Sequence, residues 1–189
     1  MPLCDAYIPR DALDPDAERK LVNQVSDILV SHEARRIIDL MKNPSDVEAV
    51  YKRAAAISWL FVHRTEVYVA GKPVQAPIYR FIVNVPEGQI DEQFVPAINR
   101  DIFKAVVDAE GGRWPSLERR LWVTVHEVYD GRWGSAGRQL HLKDIIDVVS
   151  PGWGEYAERR FAEAKAARAV ATVELATSTV AAVSGEAAA

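Results

Sequence analysis

Residues 2–15, PLCDAYIPRDALDP, decide how the rest of the chain is read. The first seven, PLCDAYI, are apolar-leaning and β-capable, and they stop at Pro9-Arg10-Asp11. Asp14-Pro15 then opens a helix; proline is tolerated at the first helical position because the amide hydrogen it lacks would have no partner there. From Ala17 onward, Leu21, Val25, Ile28 and Leu29 recur at helical spacing and put one apolar face on a core. The helix ends near His32 or continues into ARRIIDLM, residues 34–41. Asn43-Pro44 is a break, and Ser45 with Glu48 three residues on reads as a capping box for a second helix carrying Val47, Val50, Tyr51 and Ala54. Residues 58–69, SWLFVHRTEVYV, are rich in β-branched and aromatic side chains and predict a strand or hairpin ending at Ala70-Gly71.

The order then repeats. Pro77-Ile78-Tyr79 starts a strand running to Val85, closed by Pro86-Glu87-Gly88. A helix follows with Phe94, Ile98, Ile102, Ala105 and Val106 on one face, ending at Gly111-Gly112. Leu121–Val128 is the next strand, and Tyr129–Arg138 (YDGRWGSAGR) carries glycines at three-residue intervals, which predicts a tight, exposed hairpin. Two β-α-β units, 2–76 and 77–150, predict a two-layer α+β fold: one four-stranded sheet with both long helices on a single face. Residues 1–154 then form one domain, with an added helical segment at 33–57. In the remainder, 155–189, Glu155–Ala171 is alanine- and charge-rich and reads as helix. Residues 172–189 have too few large apolar groups for a packed position, which predicts a disordered tail.

Composition narrows the function classes. A chain of 189 residues that is 49% hydrophobic can bury a core. Lys and Arg number 23 against 27 Asp and Glu, so nothing marks the whole surface for nucleic acid or an anionic membrane. The single cysteine, Cys4, cannot form an internal disulfide, which fits a reducing, cytoplasmic setting. No apolar run approaches the ~20 residues needed to span a bilayer, and the first residues lack the basic-then-apolar pattern of a signal peptide. His32, His63, His126 and His141 show no paired ligand spacing, so no metal is expected. Without a glycine-rich phosphate loop or a nucleophile elbow, no cofactor is expected either.

Three features carry a resemblance: Pro2 directly behind the initiator methionine, Leu13-Asp14-Pro15 at the start of the first helix, and Trp133-Gly134-Ser135-Ala136-Gly137-Arg138 in the hairpin. In that order, with two β-α-β units between, the chain resembles the tautomerase superfamily in its fused, two-unit form. The nearest patterns are those of the cis-3-chloroacrylic acid dehalogenase and malonate semialdehyde decarboxylase families. The resemblance implies an isomerase in which the freed Pro2 amine moves a proton between keto and enol forms of a small carboxylate-bearing 2-oxo acid. It also implies a homotrimer with the sheets inside.

The chemistry suits an N-terminal proline. An α-amine has a reference pKa of ~8 against ~10.4 for lysine; nearby guanidinium groups or an apolar wall lower it further, leaving an amine able to exchange a proton at pH 7. Pro77 occupies the matching position in the second unit, but its nitrogen is an amide. The resemblance offers Arg138 as a bidentate carboxylate clamp, Arg10 as a second clamp, and Trp133 as the wall that desolvates Pro2. It adds His63, which matches Thr124 in the second unit. The alternatives are a surface charge for each arginine, a packing aromatic for Trp133 and a packing or surface role for His63. The dehalogenase pattern has two arginines after the third strand, where this chain has Val85-Pro86-Glu87-Gly88-Gln89. Its hairpin glutamate, strand tyrosine and helix histidine are here Ser135, Thr124 and Leu29. The alternatives for the whole protein are a dehalogenase, hydratase or decarboxylase of small three-carbon acids, or a non-catalytic trimeric member of the same fold.

Overall fold

In the computed structural model, residues 2–41, 46–91, 93–115 and 117–186 are described. Strand β1 (Leu3–Pro9) is followed by α1 (Pro15–Met41), α2 (Val47–Ala56) and β2 (Trp59–Thr65). A small hairpin of β3 (Tyr68–Val69) and β4 (Lys72–Pro73) closes the first unit. The second unit is β5 (Tyr79–Pro86), α3 (Phe94–Glu110), β6 (Leu121–Val128) and the hairpin β7 (Trp133–Ser135) with β8 (Arg138–Leu140), followed by α4 (Leu142–Val149) and α5 (Gly154–Glu186). The four long strands lie in the order β2-β1-β5-β6. β1 is parallel to β2 and β5 to β6, and the two central strands are antiparallel, with Asp5 opposite Ile82.

Strand alternation sorts the side chains. Cys4, Ala6 and Ile8 of β1 and Tyr79, Phe81, Val83 and Val85 of β5 are buried against Leu21, Val25 and Leu29 of α1 and Ile98, Ile102 and Val106 of α3. Burial pushes the Cys4 thiol up to about 12, with Asp5 adding to it, so it behaves as a small core residue. The other face of the sheet carries Trp59, Phe61 and Trp122, 59%, 46% and 69% exposed. At its centre His63 Nε2 pairs with Asp5 Oδ1 at 2.7 Å and stacks on Tyr7, which lies beneath Arg80.

A second core sits beyond one end of the sheet. Ala34, Ile37 and Met41 of α1 pack with Val50 and Ala54 of α2, Leu142, Ile146 and Val149 of α4, and Ala157 and Phe161 of α5. The added segment 33–57 and the start of the C-terminal segment are therefore partners, although about a hundred residues separate them in sequence.

Several expectations need correction. The tail expected to be disordered is helical through Glu186; alanine has the best intrinsic helix propensity, and no Gly or Pro interrupts residues 155–184. The proposed cap Ser45 lies outside the described residues; Asp46 is the N-cap of α2, its side chain accepting from Ala49 N at 3.0 Å.

The correspondence of the two units also differs from the expected one. Both central strands end in a proline, Pro9 and Pro86, and the next amide donates to the neighbouring strand in the same way: Arg10 N to Thr65 O at 3.1 Å, Glu87 N to Val128 O at 3.0 Å. Asp11 and Gly88 then both take positive φ. Asp14 caps Asp16 N and Ala17 N as Asp91 caps Gln93 N and Phe94 N. A constant offset of 77, Pro9 to Pro86, thus relates residues 2–33 to 79–110. Tyr79, not Pro77, is the counterpart of Pro2. In the outer strands Thr65 to Val128 gives an offset of 63, so His63 matches His126 and Phe61 matches Thr124. Sequence alone misaligned these because the strands share almost no residue types.

Candidate active site

Pro2 is buried at the head of β1, its carbonyl accepting from Trp59 N at 3.2 Å. Because β5 runs the other way, Asn84 lies opposite Leu3, and the turn after Pro86 sits at the Pro2 end of the sheet. β6 also finishes there at Val128, which carries the β7–β8 hairpin to the same end. The hairpin closes at Ala136 and Gly137, both at positive φ as a two-residue turn of this twist requires. Asp130 anchors its base, accepting from His141 Nδ1 at 2.8 Å and Leu142 N at 2.7 Å. Burial raises the Asp130 carboxyl, but those two bonds outweigh it and hold the group below its usual range. The bond to Asp130 and its charge raise His141 in turn.

Of the candidate side chains, the Pro2 end gathers Trp133 and Arg138. Trp133 is buried, and its indole Nε1 has no hydrogen-bond partner among the described residues. Arg138 is exposed. His63 belongs to the middle of the open sheet face, beside Asp5. Arg10 is at the opposite end of β1 from Pro2, across the seven residues Leu3–Pro9.

Two residues at the Pro2 end escaped sequence reading. Gln89, in the turn after β5, is fully buried, and neither amide atom has a partner among the described residues. Glu33, on the continuation of α1, is 1% exposed. Burial pushes its carboxyl up. The signal that could have found Glu33 is the 77-residue repeat, in which Glu33 and Glu110 coincide.

The two ends differ in what covers them. At the Pro77 end, an open cleft of about 390 Å³ is lined by Arg10, Asp11, Thr65, Tyr68, Pro77 and Trp114. At the Pro2 end the cleft is about 190 Å³, and its walls Glu87, Gly88 and Asp130 are the repeat counterparts of Arg10, Asp11 and Val67. Here Leu142, Phe161 and Lys165 of α4 and α5 form the roof. Lys165 pairs with Glu87, whose carboxyl it holds below the usual range. A Cβ on Gly88 would come within 3.0 Å of the Phe161 ring, and φ is +89° there, so only glycine suits the close approach. Among the described residues no helix is long and apolar enough to cross a membrane, and no group of three His, Cys, Asp or Glu could hold a metal ion.

This sheet, with two antiparallel-related β-α-β units and both long helices on one face, is a tautomerase-like fold. The chain is similar to the solved structure of Pt0534 inactivated by 2-oxo-3-pentynoate, at 17% identity and TM-score 0.51, over 76% of this chain and 98% of that one. It is also similar to the symmetric trimer of Q0 fused 4-OT, at 17% identity and TM-score 0.50, over 79% and 98%. A third similar structure, N1 of the cis-3-chloroacrylic acid dehalogenase family, has 15% identity and TM-score 0.48 over 82% and 88%. No family model matches the sequence, and no curated protein does.

Proposed function

We propose that this protein is a tautomerase-like isomerase in which the Pro2 amine, freed by methionine removal, carries a proton between the enol oxygen and C3 of a small 2-oxo acid. The observation behind this reading is the place of Pro2: a ring nitrogen heading a central strand, buried between sheet and helices with a polar, unpartnered Gln89 amide and Trp133 indole at the same end. In the step, the enol O–H bond breaks as N–H forms, the electron pair closes the C=O, and the C=C pair takes a proton at C3. No atom is gained or lost and the amine is regenerated. Arg138 is the substrate-carboxylate clamp and Trp133 the apolar wall of this reading. Arg10 is at the far end of β1, so a clamp role for it requires a neighbouring protomer's Pro2.

The open sheet face, with Trp59, Phe61 and Trp122 exposed, is the surface that a homotrimer buries. The fused 4-OT neighbour is itself a symmetric trimer. The test is direct. Incubation with 2-oxo-3-pentynoate, which inactivates the similar Pt0534, is expected to add one adduct to the peptide that begins at Pro2. Pro2→Ala is expected to lower enol-to-keto turnover of a small 2-hydroxy-2-enoate by about 10²–10⁴-fold. Full activity of Pro2→Ala would overturn the proposal.

A further inference from the structure

The open face of the sheet holds a cavity that the chemistry of Pro2 does not use. It has a volume of about 560 Å³ and lies where β2 ends and β5 and β6 begin, at the opposite end of β1 from Pro2. Strand alternation decides which side chains reach it. Tyr7, Arg80 and Trp122 are neighbours by register across β1, β5 and β6, and all three line the cavity on the side away from the helices. Val67 and Ile78 extend the walls, so the lining is mostly apolar. Thr65, Glu66 and Val67 also belong to the open cleft at the Pro77 end, so the two spaces adjoin.

Arg80 is a cation without a counter-charge. Its guanidinium lies 5.8 Å from the centre of the Tyr7 ring and makes no hydrogen bond or ion pair among the described residues. Arg36, Arg64 and Arg120 by contrast each hold a carboxylate. Two hydroxyl oxygens in the walls, Thr65 Oγ1 and Thr124 Oγ1, are sealed from solvent and also lack a partner among the described residues. The carboxylate in the lining, Glu66, is exposed and accepts from the Tyr68 hydroxyl at 3.3 Å. Asp5, on the same face, is taken by His63.

This combination selects a ligand chemistry. A planar guanidinium holds a carboxylate through two parallel N–H···O bonds. The ring beneath Arg80 keeps it at the wall of the cavity without neutralising it. Apolar walls favour a ligand whose remaining surface is apolar. A phosphate or a polyanion would call for further cations, and no other Lys, Arg or His of the described residues lines this cavity.

We propose that the cavity is a second ligand site, separate from Pro2, which binds a monocarboxylic acid with an aromatic or other apolar body. The carboxylate sits on Arg80, and the body lies along Trp122, Val67 and Ile78. The homotrimer proposed above covers the same face, so a side chain of a neighbouring protomer is the competing occupant.

The experiment titrates naphthalene-2-carboxylate into ¹⁵N-labelled full-length protein and follows the Trp122 indole N–H, assigned by its loss in Trp122→Phe. The carboxamide of the same ring system supplies the body without the charge, and acetate the charge without the body. A hydrogen bond to a charged group is worth about 10–100-fold in affinity. The carboxamide on wild type, and the carboxylate on Arg80→Gln, are each expected to bind more weakly by that factor. Pro2→Ala is expected to bind the carboxylate as wild type does. A carboxamide that binds as tightly as the carboxylate overturns the proposal without recourse to any variant. So does an Arg80→Gln protein with unchanged affinity, acetate binding as tightly as the naphthalene acid, or a response lost in Pro2→Ala. A Trp122 indole that does not respond overturns it too, and a trimer by light scattering in that sample assigns the cavity to a neighbouring protomer. The proton-carrier reading is tested by turnover and stands or falls apart from all of these.

Discussion

Residues 2–33 and 79–110 follow the same path with only four identities, Pro9/Pro86, Asp14/Asp91, Val30/Val107 and Glu33/Glu110. They part at the next residue. Ala34 carries α1 on to Met41, whereas Gly111 takes φ +57° and ends α3, its amide bonding back to Val107 O at 3.2 Å. The extension gives α1 the apolar stripe on which α2, α4 and α5 build the second core, and that core roofs the cleft at the Pro2 end of the sheet. The end without the extension keeps an open cleft and closes its strand head with the Glu110–Arg120 pair. One repeated layout thus produces one covered end and one open end, and a single helix stop separates them.

The largest way to break the comparison is at Arg120. Arg120→Leu leaves Glu110 sealed without its cation, and removing one partner of a buried pair costs about 3–5 kcal/mol. Urea denaturation is expected to show a loss of that size, with Glu110→Leu in the same chain recovering most of it. A loss no larger than the ~0.5 kcal/mol of a surface change would mean that the pair does not hold the strand head.

Next in size is the point of divergence itself. Gly111→Ala forces a side chain into a left-handed conformation; a Cβ there has open space, so the cost is backbone strain alone, about 1 kcal/mol. Ala34→Gly loosens a helix interior by about the same amount. Because tertiary packing holds residues 37–41, the helix is expected to persist. Amide exchange at Ile37 and Ile38 should quicken only modestly; full exposure of that turn would show that Ala34 alone carries the extension.

The smallest expected effect is in the Asp130–His141 bond, half-exposed at the base of the hairpin on the covered end. His141 is raised in the folded state, so its contribution is complete below its unfolded pKa and fades as pH rises through the folded value. Asp130 is lowered, so its contribution is complete above its unfolded pKa and fades as pH falls through the folded value. Leu142 amide protection should therefore be greatest in the window between those two folded values and decline on both sides. His141→Ala should remove the alkaline decline, and a profile unchanged by it would assign the bond no part in holding the hairpin.

Much of the layout was legible in the residues themselves. The β-capable run PLCDAYI, the 3.6-residue spacing of Leu21, Val25 and Leu29, and Ala-Gly at two hairpin tips are local patterns, set by steric rules that act within a few residues. They determined two β-α-β units, their order and a proline at the head of the first strand. Three things were decided only when the chain closed on itself. The true register of the units rests on hydrogen bonds such as Arg10 N to Thr65 O, which join residues fifty-five apart. Residues 155–171 read as helix from their composition, but that this helix roofs the cleft was decided by Phe161, which shares a core cluster with α1 and lies against Gly88, neither adjacent in sequence. Glu33 reads as one more polar residue on a helix, and becomes a sealed carboxylate only in the folded protein, because burial and its electrostatic cost are properties of the assembled core and not of any window of sequence.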